Sequence, residues 1–269
     1  MKTWNIVFTG PATAELRHEP VPELGPTQVL IRARKTLISM GTELICYQRN
    51  FAPGTHWDRW VRYPFHPGYS MAGVVEAVGA EVEGFRPGDR VVSREGHRQL
   101  VVVESTRPLK IPDEVSDEEG TWFGIACIVQ NAVRRAEHEL GDAVVVVGLG
   151  PLGQLAVQYA RLGGAREVIG IDPVPQRLER AARWLTAALP VPVDQARDAV
   201  RDRTEGRGAD VVYDVTGHPA VLPAALALPR RFGKLVLLGD AGTPSEQRLT
   251  SDLLTRGLRI IGTHYNNQP

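Results

Sequence analysis

Four valines running into three spaced glycines constrain this chain more than any other feature in it. Val144-Val145-Val146-Val147-Gly148-Leu149-Gly150-Pro151-Leu152-Gly153 reads as a buried strand, a tight turn and the start of a helix. A GxGxxG spacing alone says little, but one that follows an apolar strand and opens a helix points to a phosphate cradle. Gly148 permits the tight turn, Gly150 lets the backbone approach a pyrophosphate, and Gly153 allows the helix to pack closely on the sheet. Leu149, Pro151 and Leu152 complete the loop. The unpaired amides and partial positive charge of the helix start favour an anion there. Pro151 costs nothing in the first turn, where an amide has no helical partner.

The stretch around this loop alternates strand and helix. The pattern predicts strands at 143–147, 167–171, 191–193, 210–215, 234–238 and 258–262, with helices at 152–162, 175–184, 219–228 and 249–255. Short, continuous apolar strands joined by helical crossovers imply a doubly wound parallel α/β sheet covered on both faces, the Rossmann arrangement. Its second strand ends at Asp172, 24 positions beyond Gly148, where a carboxylate can accept both ribose hydroxyls of NAD. The same carboxylate disfavours the 2′-phosphate of NADP. Arg177 and Arg180 keep NADP open, because a guanidinium can cover that phosphate, and a capping role for Asp172 ahead of Pro173 is the plainer alternative. Thr216, Gly217 and Gly239 follow later strand ends, the side on which ligands lie in such sheets, and His218 is placed to cap the next helix.

Residues 1–112 read differently. Strands are expected at 28–34, 72–78, within 84–92 and at 100–103, with Pro87-Gly88-Asp89 as a turn and no helix of three turns, which suggests an all-β unit, a partly open barrel. Ser116 and Glu119 form a capping-box pair that opens a helix running toward Arg135 with a break at Gly124. The domains expected are therefore 1–115 and 116–269. Lysine plus arginine equals aspartate plus glutamate, 31 each, so no net field draws the chain to nucleic acid or a charged membrane. Cys46 and Cys127 are too few for a disulfide framework and read as small buried hydrophobes. No apolar run reaches membrane-spanning length and the start lacks a signal peptide, so a cytoplasmic setting is expected.

Three further motifs join the glycine loop: Ser39-Met40-Gly41-Thr42-Glu43, the run from Pro67 to Val75, and the run from Phe85 to Val91. With Asp210 to Gly217, in this order, they resemble the medium-chain dehydrogenase/reductase family, over nearly the whole chain. The resemblance implies a GroES-like β-barrel domain at the N-terminus beside the Rossmann domain, with the active site in the cleft between them, and a homodimer paired through residues 258–263. Relatives usually continue past the last Rossmann strand to complete the β domain. This chain stops at Pro269, so it is expected to be a short member or to lack a C-terminal part.

The departures bear on chemistry. Zinc-dependent relatives carry cysteine where this chain has Met40, a histidine-glutamate pair where it has Tyr69-Ser70, and a further ligand near Gly124. Catalytic zinc needs about three N, S or O ligands, and a thioether and a phenol replace a thiolate and an imidazole poorly. A zinc-independent member is expected, with no metal site. Thr42 matches the hydroxyl residue that contacts the substrate alcohol, and Tyr69 is the acid/base candidate, against the plainer reading of a packed tyrosine. Glu43 is acidic in many relatives and reads as an orienting carboxylate rather than a base. Tyr47, His56, Trp57, Trp60 and His66 suit either a substrate cleft or a surface hairpin. The leading expectation is an NAD-linked dehydrogenase acting on a small secondary alcohol or carbonyl: a polyol, a sugar or a natural-product intermediate. A zinc-free enone or quinone reductase, and a dinucleotide-binding protein without catalysis, are the alternatives.

Overall fold

The computed structural model describes residues 1–240, 242 and 247–264. The chain divides into two compact units, Met1–Ile125 and Ala126–Pro269.

In the first unit, the strands β1 (Lys2–Gly10) and β2 (Thr13–Pro20) form an antiparallel hairpin. A five-stranded antiparallel sheet follows, with β3 (Gln28–Thr36), β4 (Met71–Val78), β5 (Arg90–Ser93), β6 (Leu100–Glu104) and β7 (Leu109–Lys110) in the order β6-β3-β4-β5-β7. One face of this sheet buries Val29, Ile31, Met71, Val75, Val91, Val101 and Val103, the alternate-residue pattern of a half-buried antiparallel sheet. A Cβ at Gly73 would stand 2.4 Å from the carbonyl oxygen of Arg32, so glycine there lets β4 lie close on β3.

Two helices lie between β3 and β4, α1 (Met40–Gln48) and α2 (His56–Trp60), which corrects the all-β reading of this region. Each is shorter than three turns, so neither gives a long enough periodic pattern to read. The linker also departs from expectation. Ser116 and Glu119 do make the capping box, which opens α3 (Asp117–Gly120), but the break falls at Thr121 and Trp122, and Gly124 lies inside α4 (Phe123–Ala136).

The second unit contains β8 (Ala143–Val147), α5 (Pro151–Leu162), β9 (Glu167–Ile171), α6 (Pro175–Ala181), β10 (Ala187–Leu189) and α7 (Arg197–Arg203), then β11 (Ala209–Asp214), α8 (Leu222–Ala227), β12 (Pro229–Leu237), α9 (Leu249–Asp252) and β13 (Arg259–Gly262). The sheet is parallel throughout in the order β10-β9-β8-β11-β12-β13, the doubly wound order with its switch point beside β8. Val144 and Val146 pack with Val129, Val157 and Tyr213 on one face, and Val145 and Val147 with Val200, Leu226 and Leu235 on the other. Burial on both faces explains why β8 reads as an unbroken run of valine.

The third strand was expected at 191–193 and stands at Ala187–Leu189 instead, paired with Ile169–Ile171. Pro190 and Pro192 bracket Val191 and carry no amide for a ladder, and Val193–Gln195 forms a 3₁₀ turn. The helices expected at 175–184, 219–228 and 249–255 are each part α-helix and part 3₁₀ turn.

Candidate functional site

The loop between β8 and α5 is shaped by contacts its glycines alone permit. Gly148 has φ +90°, and a Cβ there would meet Thr216 Cγ2 at 2.9 Å. A Cβ at Gly153 would fall 2.0 Å from the Gly148 carbonyl oxygen, so the helix is seated directly on the turn. A Cβ at Gly150, by contrast, would meet nothing within 4 Å. Helix α5 makes its first backbone bond from Gln154 to Gly150, and the amides of Gly150, Leu152 and Gly153 donate to no acceptor among the described residues. Open space above an unpartnered set of helix-start amides fits a dinucleotide's phosphates.

Asp172, at the end of β9, is buried. Its carboxylate accepts from the amides of Leu149 and Val174, each at 2.8 Å, and pairs with Arg177 Nη1 at 3.2 Å. It therefore braces the glycine loop and caps its own turn. A carboxylate has about four acceptor sites; three are engaged, one by the half-exposed Arg177, whose side chain can move away. Asp214, at the end of β11, holds Thr216 through its amide and hydroxyl at 3.0 and 2.7 Å. The other Asp214 oxygen is buried without a hydrogen-bond partner among the described residues, and burial pushes this carboxyl up from the ordinary range. Gly217 and Gly239 pack backbone to backbone: a Cβ at Gly239 would stand 2.3 Å from the Gly217 amide. His218 caps the turn beginning at Pro219, its ring nitrogen accepting from the Ala220 amide.

In the first unit the candidate residues meet around the start of α1. Tyr69 donates its hydroxyl to Ser39 Oγ at 2.5 Å, and Arg94 lies over the Tyr69 ring. Ser39 is the N-cap of α1, and Thr42, half-buried, stands three residues on, the spacing that puts two side chains on one helix face. Glu43 is buried and accepts from the Ser39 amide at 2.8 Å. Its other oxygen pairs with His97 Nε2 at 2.8 Å, and His97 Nδ1 reaches Thr36 Oγ1 at 2.8 Å. The structure thus ties Tyr69, Ser39, Glu43, His97 and Thr36 into one chain of hydrogen bonds. Ser39 and His97 were not singled out from the sequence. Nothing in the order of residues links His97 to Glu43, 54 positions away, and only the fold brings them together.

The positions expected to hold metal ligands in zinc-dependent relatives carry a poor donor set. Met40 is exposed, and Ser70 gives its hydroxyl to the Thr121 carbonyl. A Cβ at Gly124 would meet Ser70 Oγ at 2.8 Å, so the chain is packed where a third ligand would stand. Among the described residues no group of three or more His, Cys, Asp and Glu side chains could hold a metal ion. These residues do not fit zinc.

The aromatic stretch is engaged in packing. Phe8, Cys46 and Val61 form a small core with Tyr47, Trp57, Tyr63 and Phe65, Tyr47 donates to the Ala12 carbonyl, and His66 pairs with Glu19 of β2. Burial pushes the Cys46 thiol up to about 12, so it behaves as a hydrophobe. Cys127 is only half-buried, short of the burial expected.

Residues 25–110 match the family described as "Alcohol dehydrogenase GroES-like domain", and residues 151–269 match "Zinc-binding dehydrogenase". An L-threonine 3-dehydrogenase of Symbiobacterium thermophilum is 31% identical, over 97% of this chain and 82% of that protein. The chain belongs to the medium-chain dehydrogenase/reductase family. A sorbitol dehydrogenase of Bacillus subtilis is 31% identical over 84% of this chain and 72% of its own length. The fold is shared with a crystal structure of a putative zinc-binding dehydrogenase from Sinorhizobium meliloti bound to NADP, at TM-score 0.82 and 23% identity, over 98% of this chain and 84% of that one. As a member of this family the chain is an oxidoreductase of the alcohol and carbonyl type, dependent on a nicotinamide dinucleotide. The GroES-like match lies within the first unit, and the second unit carries the Rossmann-type parallel sheet. No helix among the described residues is long and apolar enough to cross a membrane.

Proposed function

We propose that this medium-chain dehydrogenase oxidises a small secondary alcohol, or reduces the matching ketone, with NAD and without catalytic zinc. The observation that carries the reading is that one chain holds both a dinucleotide cradle, in its second unit, and a hydroxyl network, in its first, at the positions where zinc-dependent relatives carry metal ligands. When bound, the nicotinamide supplies hydride acceptance and donation. Gly150, Leu152 and Gly153 hold the pyrophosphate through their free amides, with Leu149 and Pro151 shaping the loop and Thr216, Gly217 and Gly239 lining the later strand ends. Asp172 accepts the ribose hydroxyls, and Arg177 yields its place on that carboxylate. Asp172 stands against a 2′-phosphate, which supports NAD over NADP.

Thr42 orients the substrate oxygen. Tyr69 takes the alcohol proton while passing its own hydroxyl proton to Ser39 Oγ, its hydrogen-bond partner, and the partly exposed Ser39 releases its proton to solvent water, so each hydroxyl ends with one proton. Glu43 and His97 touch neither substrate nor cofactor: they hold the Ser39 end of α1 in place. A polyol or sugar-like substrate fits this reading, given relatives that include a sorbitol dehydrogenase. The outer edge of β13, which no described strand covers, suits a homodimer in which a second copy extends the sheet.

The test is a panel of polyols, secondary alcohols, ketones and enones, run on chelator-treated protein with NAD(H) and NADP(H) and followed by nicotinamide absorbance. The reading expects turnover of alcohols and ketones with NAD(H), unchanged by the chelator. Activity restored only by zinc, equal use of NADP(H), or turnover confined to enones would each overturn part of it.

A further inference from the structure

Six arginines line one cavity at the end of the Rossmann sheet opposite the glycine loop. The cavity, of about 470 Å³, lies among α7, the turn at Gly206–Gly208, the connection from α8 into β12, and Arg256 ahead of β13. Arg197, Arg201, Arg207, Arg230, Arg231 and Arg256 stand around it with Gly206, Gly208, Ala227, Leu228 and Pro229, and among the described residues no acidic side chain lines it. The strands β11, β12 and β13 all begin here, whereas the dinucleotide loop follows the far end of β8.

The arginines divide into two kinds. Arg230 and Arg256 are half-buried and fixed: Arg230 bonds Asp210 and the Arg231 carbonyl, and Arg256 bonds the carbonyls of Leu226 and Pro229. Arg197, Arg201 and Arg231 have no ion-pair partner among the described residues, and Arg207 reaches Asp210 only at 4.0 Å. Arg197 and Arg201 are four apart on α7, a like-charge spacing that destabilises an isolated helix. Burial and the facing Arg197 guanidinium push Arg256 down from the ordinary arginine value, with Asp252 pulling the other way. Of the six, only Arg230 is held closely by a carboxylate, Asp210, so the cavity keeps an excess of positive charge in a chain whose net charge is zero.

We propose that this cavity binds a small molecule carrying a diphosphate or two separate phosphates, at a site distinct from the dinucleotide. Guanidinium groups present planar forks of donors that match phosphate oxygens, and several converging ones favour a multiply charged anion over a single carboxylate. The volume falls in the range of small-ligand pockets, of the order of 300–1,000 Å³. The arginines gather around one concavity rather than along a stripe, which favours a compact ligand over a nucleic-acid strand.

The probe is sodium pyrophosphate, titrated calorimetrically into the full chain already saturated with NADH, so that the glycine loop is filled. The compared proteins are the parent, the double variant Arg197→Gln/Arg201→Gln, and a charge-matched control, Arg62→Gln/Arg183→Gln, at arginines outside the cavity. Neither Arg197 nor Arg201 makes a side-chain bond within the described structure, so their removal leaves the fold intact. Pyrophosphate should bind the parent with Kd below about 1 mM and the cavity variant at least about tenfold more weakly, on the scale of one or two lost phosphate contacts. The control should match the parent, and NADH affinity should be the same in all three. Absence of binding to the NADH-saturated parent, or equal weakening in the control, would overturn the site. Tighter, Arg197- and Arg201-dependent binding of a short DNA duplex would replace the small anion with nucleic acid.

Discussion

The two units carry candidate regions built from different material. The cradle after β8 is made of backbone: three glycines, a set of unpartnered amides, and open space above Gly150. The network at the start of α1 is made of side chains, and its polar groups are already spoken for, from Tyr69 through Ser39 and Glu43 to His97 and Thr36. A backbone site can wait for its ligand at little cost because its amides face open space. A buried side-chain network must satisfy itself within the protein, since each orphaned group costs about 1–3 kcal/mol. The first unit therefore stakes stability on its network, and the second stakes ligand binding on its loop.

The largest expected effect breaks the network. Glu43→Ala leaves the Ser39 amide and the His97 ring without their partner, which should cost about 2–6 kcal/mol at about 1–3 for each group. Urea unfolding should show a lower midpoint; a shift worth less than about 1 kcal/mol would mean that water replaces the carboxylate and that the network is not closed.

Next in size is a pair of methyl groups in the cradle. Gly153→Ala drives a Cβ into the Gly148 carbonyl. It should cost about 1–3 kcal/mol of stability, as overpacking does, along with NADH affinity. Gly150→Ala meets no protein atom and should leave the melting temperature within about 1 °C while weakening NADH by about tenfold or more, because the methyl takes the ligand's place. Equal NADH affinity in Gly150→Ala and the parent would remove the cradle from the account.

The smallest effect tests whether the second unit has a buried side-chain contact of the same kind. His138 lies against Tyr213, its Nε2 2.5 Å from the hydroxyl, and burial lowers its pKa from the ordinary 6.5 despite Asp142 nearby. The unfolded chain then binds a proton that the folded one refuses, so stability rises with pH in this window. The contribution is complete above about pH 6.5 and is lost as pH falls through that value toward the depressed one, by at most about 1.4 kcal/mol per pH unit. Glu167 and Asp210, also lowered, titrate below this window. His138→Gln should flatten the rise of stability with pH just below about pH 6.5; an unchanged slope would assign the acid limb elsewhere.

The same contrast explains what could be read in the residues alone. The glycine spacing and the valine run of β8 specify the loop because φ, close approach and two-faced burial each leave a mark on sequence. Asp172 was legible as the carboxylate ending the second strand and as a cap ahead of Pro173, which its bond from the Val174 amide makes it, but its bond from the Leu149 amide was not. Helices α1 and α2 were too short to show a period, and Pro190 and Pro192 shifted the third strand upstream of where Val191 and Val193 suggested it. The hydrogen-bond chain from Tyr69 to Thr36 joins residues from 36 to 97, and no local pattern announces such a contact. The arginine cavity gathers from residues 197 to 256 and was equally invisible.

The division of labour itself is tested most directly by Tyr69→Phe, measured in single-turnover hydride transfer with a substrate from the alcohol panel and, separately, in NADH titration. Ring volume is kept and only the hydroxyl on Ser39 is lost. The account predicts a rate lower by about 10²–10⁴-fold, the usual worth of general acid–base catalysis, with NADH affinity unchanged. A rate within about threefold of the parent, far short of that loss, would contradict it and return Tyr69 to the packing of the β unit.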